Sequence, residues 1–128
     1  LAGLHDWVRT GQPMPAAPPL QLADADPPEL AVDASGIALG GVRTPWVEVP
    51  IAVTRGRGSD QTELSFIFGS GEPFDATELA HRYPGGRDDY LQLFAAALDT
   101  AIGAGHICAS DRAEILELAG ATFGRGND

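Results

Sequence analysis

The charged side chains best placed to do chemistry in this sequence are Arg43 and Glu48, in the run Gly40–Ala52, GGVRTPWVEVPIA. Both sit among apolar neighbours, and a charge in such company is costly unless it is paired. Two roles follow for the arginine. It can form a structural ion pair with Glu48, directly or through one water, and fix the path of the loop. Alternatively, because a guanidinium forks onto two oxygens, it can bind a carboxylate or phosphate. Thr44 and Trp46 lie between the two charges, so the candidate binding set is Arg43, Thr44, Trp46 and Glu48.

Other reactive groups are thinly spread. A nucleophile elbow, Gly-x-Ser-x-Gly, is absent; Gly69-Ser70-Gly71 has the wrong spacing and reads as a turn. There is no His-Glu-x-x-His, phosphate loop or dinucleotide fingerprint. His106 and Cys108 are two apart, but one such pair without a second is a weak metal signal, and the alternative is a helix end with a half-buried thiol. His81 closes a helix, where a C-terminal dipole favours a cation. His5 reads as a surface or boundary histidine. The expectation is a chain with no catalytic centre of its own, no metal and no cofactor.

The balance of charge narrows the partners. With a formal net charge of −10 and only eight basic residues, all arginine, the chain lacks the positive face that nucleic acid or an anionic membrane requires. No apolar run approaches the roughly 18 residues of a membrane span. A single cysteine, Cys108, forbids an internal disulfide. The 128 residues suffice for one modest core. They begin at Leu1 and enter a helical pattern at once, which is expected of a fragment or a processed chain.

The elements that must position these residues can be read in order. Residues 1–10 have Leu1, Leu4 and Val8 on one helical face with Trp7 beside them, and Gly11 and Pro13 stop the helix. The apolar face predicts a buried Trp7. Residues 12–29 hold six of the ten prolines and read as an extended linker that needs a surface to lie on. Leu30-Ala31-Val32 and Ile37-Ala38-Leu39 flank Asp33-Ala34-Ser35-Gly36, a hairpin with a type I turn and a left-handed glycine. Gly40-Gly41 permits unusual dihedrals or a close approach to another surface. Trp46–Val49, rich in β-formers and bounded by Pro45 and Pro50, predicts a short edge strand or an extended lining. A polar loop is expected at 54–63, then a short strand or plug at Ser65-Phe66-Ile67-Phe68, ended by Gly69-Ser70-Gly71.

The last third reads as helices. Asp75 and Glu78 have the spacing of a capping box, and Phe74 with Leu79 that of a hydrophobic staple. Tyr83-Pro84-Gly85-Gly86 stops this helix. A longer one is predicted over 87–103, with Leu91, Phe94, Leu98 and Ile102 on its inner face. Ser110 is the expected cap of a final helix that turns Ile115, Leu118 and Ala119 inward, before a frayed GRGND tail.

Three of these stretches together carry a resemblance. Leu4–Pro13, LHDWVRTGQP, resembles the end of the last core helix of α/β-hydrolases. GGVRTPWVEVPIA is similar to a signature near the C-terminus of bacterial "alpha/beta hydrolase domain" proteins, with Glu48 where an aspartate is expected. Pro73 to Gly105 resembles that family's helical tail. The resemblance implies an α+β segment, with residues 1–11 as the last core helix, 12–29 as a proline-rich linker, 30–68 as short strands around the signature, and 72–122 as a helical tail. It further implies a Ser–His–acid hydrolase of carboxylic esters or related acyl bonds, whose serine and histidine lie before Leu1. This chain would be the C-terminal segment packing on, and covering, that core. Its partner would be the upstream hydrolase body, or a second copy of the chain with Trp7 in a dimer contact. The alternative is a free-standing, non-catalytic interaction domain.

Overall fold

In the longest helix among the described residues, Phe94 and Leu98 recur at helical spacing and are fully buried, with Tyr90 beside them. The computed structural model describes residues 2–56 and 69–123. Within them the chain is an α+β fold of five α-helices and one two-stranded antiparallel sheet. The helices are α1 (Ala2–Thr10), α2 (Pro45–Glu48), α3 (Ala76–Arg82), α4 (Arg87–Gly103) and α5 (Arg112–Thr122); the strands are β1 (Ala52–Arg55) and β2 (Ser70–Pro73). The expected strand or plug at Ser65–Phe68, most of the polar loop before it and the 124–128 tail lie outside the described residues.

The core lies between α3, α4, α5 and α2. Val49, Phe74, Leu79, Tyr83, Tyr90, Phe94 and Ala119 form one buried cluster. Aromatic rings dominate it. Tyr90 meets Tyr83 edge-on at 5.4 Å and stacks on Phe123 at 4.9 Å. Burying each such side chain is worth about 1.5–3 kcal/mol. Tyr83 also donates its hydroxyl proton to the Pro50 carbonyl at 2.7 Å, tying the end of α3 to the entrance of β1.

Local signals place the C-terminal helices. Asp75 Oδ1 accepts from the Glu78 amide at 2.8 Å, so the cap is made. The return half of the capping box is not, because Glu78 Oε1 takes Arg82 Nε at 2.5 Å instead. Phe74 and Leu79 are both buried in the core, as a staple requires. α4 spans 87–103 as its periodicity predicts, and Gly105, at φ +78°, closes its end by donating its N–H to the Ile102 carbonyl. Two expectations for α5 fail. Ser110 does not cap it: a 3-10 turn, Ala109–Asp111, leads into the helix, and the Ser110 hydroxyl bonds the neighbouring Asp111 carboxylate. Leu118 is half exposed while Ala119 is fully buried, because the contact with α4 is close enough to favour the small side chain.

The strands also differ from expectation. Thr54 and Arg55 belong to β1, not to the loop, and Gly69-Ser70-Gly71 is no stop: Ser70 and Gly71 open β2, pairing with Arg55 and Thr54. Backbone pairing across the sheet outweighs the turn preference of glycine and serine. The Asp33–Gly36 turn forms as read, with Gly36 at φ +76° and its amide on the Asp33 carbonyl. The flanking segments pair with each other through one bridge, Val32–Ala38, and Leu30 makes a second with Leu22 of the preceding ply.

Residues 12–29 lie partly on their own chain. The Gln21 amide donates to Leu39, and the Gly41 amide to Pro18. Gly40 sits at φ +84°, and a Cβ there would stand 2.1 Å from the Pro19 carbonyl oxygen, so only glycine fits. The other side of this ply is open. α1 is uncovered too: Trp7 is 48% exposed and Val8 82%, contrary to the burial expected from the helix's apolar face. No described residue packs over that face closely enough to bury it.

Candidate functional site

Asp33 begins the arrangement. Its Oδ1 accepts from the Ser35 amide at 2.8 Å and the Ile37 amide at 3.1 Å, holding the turn, and this leaves Oδ2 pointing away from it. Arg43 meets that second oxygen through Nη2 at 2.8 Å. Nη1 donates to the Ala38 carbonyl at 2.7 Å, and Nε donates to Glu48 Oε1 at 2.5 Å. All three guanidinium nitrogens are therefore engaged, each by a different acceptor. Arg43 clamps the turn of residues 33–38 to α2.

α2 itself corrects the expected edge strand or extended lining. Thr44 stands at its N-cap position, and its carbonyl accepts from Val47 and Glu48. Pro45 occupies the first helical position, where its fixed φ suits a helix and its missing N–H is no loss. Pro50 then forces Val49 out of helical dihedrals, so the helix stops after one turn. The β-forming preference of Trp46 and Val47 yields to prolines at both ends and to packing on α4. Trp46 meets Phe94 edge-on at 5.2 Å.

Electrostatics follow from this geometry. Burial opposes charge on Asp33, but hydrogen bonds from Arg43, Ile37 and Ser35, with the arginine's charge, hold its carboxyl below the ordinary value. The Asp33 hydrogen bond in turn raises Arg43, against its partial burial and with help from Glu48. Arg43 and Asp33 are about one-fifth to one-quarter exposed and Glu48 nearly half, so the Asp33 arm is the better shielded.

Beside the clamp lies a cleft of about 310 Å³, lined by Arg43, Glu48, Ala97, Thr100, Ala101, Ala104 and His106. Of the four residues singled out in the sequence, Arg43 and Glu48 line this cleft. Thr44 and Trp46 do not: one supports the start of α2, the other anchors it on α4. Asp33 was legible only as a turn residue, although its second oxygen was open to a partner. Thr100 and His106 join the site because α4 brings its last turns alongside α2, and no spacing in the sequence signals that. Among the described residues no group of three or more His, Cys, Asp or Glu side chains could hold a metal ion, and no helix is long and apolar enough to cross a membrane. Cys108 is exposed and free, and His5 and His81 are exposed, His81 in the last turn of α3.

No curated protein and no solved structure matches this chain. A family model described as "Alpha/beta hydrolase domain" matches residues 1–117. That match takes in α1, the proline-rich ply, the Arg43 clamp, both strands, α3, α4 and the first half of α5. The chain belongs to the alpha/beta hydrolase domain family.

Proposed function

We propose that this chain is the C-terminal segment of an esterase-like α/β-hydrolase, packed on the catalytic body and covering part of it, and not catalytic alone. The observation that carries the reading is where apolar surface is left uncovered. Among the described residues, nine of the eleven exposed large apolar side chains lie between Leu4 and Val42. They include Leu4, Trp7 and Val8 on α1 and Leu20, Leu22 and Val42 on the adjoining ply. Such a concentration on one segment supports a docking surface there. Its occupant in this reading is the hydrolase body, against which α1 is the last core helix. The body supplies the serine and histidine of a Ser–His–acid triad for ester or related acyl cleavage; the 128 residues contain no nucleophile elbow.

The test has two arms. The coding frame before Leu1 is read for Gly-x-Ser-x-Gly, and its product is purified with this chain attached. In a Trp46→Phe background, Trp7 emits as a solvent-exposed indole in the isolated chain and as a buried one in the longer protein. p-Nitrophenyl butyrate is cleaved by the longer protein alone. A frame without the elbow, or a Trp7 that stays exposed in the longer protein, overturns the reading in favour of a free-standing interaction domain.

A further inference from the structure

Beside Arg43 lies the cleft between α2 and the end of α4. We infer that it binds the primary ammonium group of a small organic amine, with the ligand's hydrocarbon part on Ala97, Ala101 and Ala104. This goes beyond the hydrolase reading and does not rest on it.

Three observations converge. The clamp holds two carboxylates against one guanidinium, a formal charge of −1, with Arg43 and Glu48 lining the cleft and Asp33 behind Arg43. Arg43, which alone would suit an anion, is already matched on both sides. Second, the cleft lies along the last turns of α4, a 17-residue helix with no basic residue in its last turn. The cations near that negative helix end, Arg43 and Arg112, are each already paired with a carboxylate. Third, the lining offers acceptors. Glu48 Oε1 receives Arg43, and among the described residues Oε2 receives nothing. The Thr100 hydroxyl gives its proton to the Ala96 carbonyl at 2.9 Å, which leaves lone pairs. The half-buried His106 ring has no partner among the described residues, and a neutral imidazole offers one acceptor nitrogen. An ammonium group brings three N–H donors and no acceptor, the complement of this lining. One carboxylate, one hydroxyl and one imidazole beside a guanidinium make a poor cage for a compact metal ion. The three alanine methyls favour a ligand with a hydrocarbon body.

The 128-residue chain, labelled with ¹⁵N, is titrated in mildly alkaline, low-salt buffer with n-butylammonium chloride. Sodium butyrate and sodium chloride serve as controls. Butylammonium should give saturable shifts confined to the amides of residues 43–48 and 97–106, with a millimolar midpoint, and neither control should. Glu48→Gln should weaken the midpoint by about tenfold through loss of the charge-assisted bond. Ala104→Leu, at an exposed position, should fill the cleft and abolish the shifts while the rest of the spectrum stays unchanged. The proposal is overturned if butyrate saturates the same amides at equal or lower concentration. It is equally overturned if butylammonium moves them no more than sodium chloride does, or if Ala104→Leu binds like the parent.

Discussion

Trp46 stands edge-on to Phe94, ring centroids 5.2 Å apart and planes at 78°. This contact joins the one-turn helix α2 to the middle of α4, and through α2 it sets where Arg43 and Glu48 face α4's last turns. Trp46→Ala should therefore cost about 3 kcal/mol, the low end for large aromatics cut back in a core, because the ring is only partly buried. Urea unfolding measures it. Trp46→Phe, which keeps an aromatic edge, should cost less than half as much; equal losses would mean that the edge-to-face contact has no special part.

The Arg43 clamp should be unequal in its arms. Coupling to Asp33, the better-shielded partner, should be about 1–3 kcal/mol. Coupling to Glu48, nearly half exposed, should be at most about 1 kcal/mol. Double-mutant cycles with Arg43→Met, Asp33→Asn and Glu48→Gln measure both. Reversal of the order would place the anchor at α2, not at the turn.

Asp33 also predicts a pH response. Its folded carboxyl lies below the ordinary value of 3.8, so its stabilisation is fully present above that value and is lost as pH falls through the folded one. Urea midpoints should drop from about pH 4 downward, more steeply in the parent than in Asp33→Asn. Parallel pH curves for the two proteins would contradict this.

Tyr90 offers a gain. Its hydroxyl is buried with no hydrogen-bond partner among the described residues, and burial, with a smaller push from Tyr83, raises the phenol to about 12. Tyr90→Phe removes a desolvated donor and keeps the ring contacts, so it should stabilise by about 1 kcal/mol. The raised pKa means that the neutral phenol's contribution is present below about pH 10 and lost as pH climbs from there through about 12. The phenylalanine variant should lose less stability over that alkaline range. A destabilised Tyr90→Phe protein would show that the hydroxyl has a partner.

Gly40→Ala meets the Pro19 carbonyl and a left-handed backbone at once. It should destabilise by more than about 1 kcal/mol. It should also expose residues 12–29 to thermolysin well before the helices are cut. Trp7→Ala, by contrast, should change the stability of this chain by no more than about 0.5 kcal/mol, because the side chain is already half exposed.

What could be read from the residues was whatever depends on short range. The α4 limits, the Asp75 cap, the Asp33–Gly36 turn and the Arg43–Glu48 pair each involve partners within one element or a few residues. α2 misled because Trp and Val favour strands, while its conformation is set by prolines at both ends and by Phe94, 48 positions away from Trp46. Trp7 misled for another reason: an apolar helical stripe says that something should cover it, not that the cover is in the same chain. Thr100 and His106 were silent because a cleft between α2 and α4 exists only after those helices have packed.

Arg82 donates to the Ser35 hydroxyl at 3.0 Å across a sequence gap of 47 residues, while its Nε holds Glu78 and its guanidinium lies over the Phe74 ring. The Asp33–Gly36 turn is thus made well before the helix that braces it. At about 5–20 residues per second, about 2–10 seconds separate the synthesis of Ser35 from that of Arg82. During that interval the ply and its turn rest on their own backbone bonds and on the Arg43 clamp, and the brace from α3 arrives last.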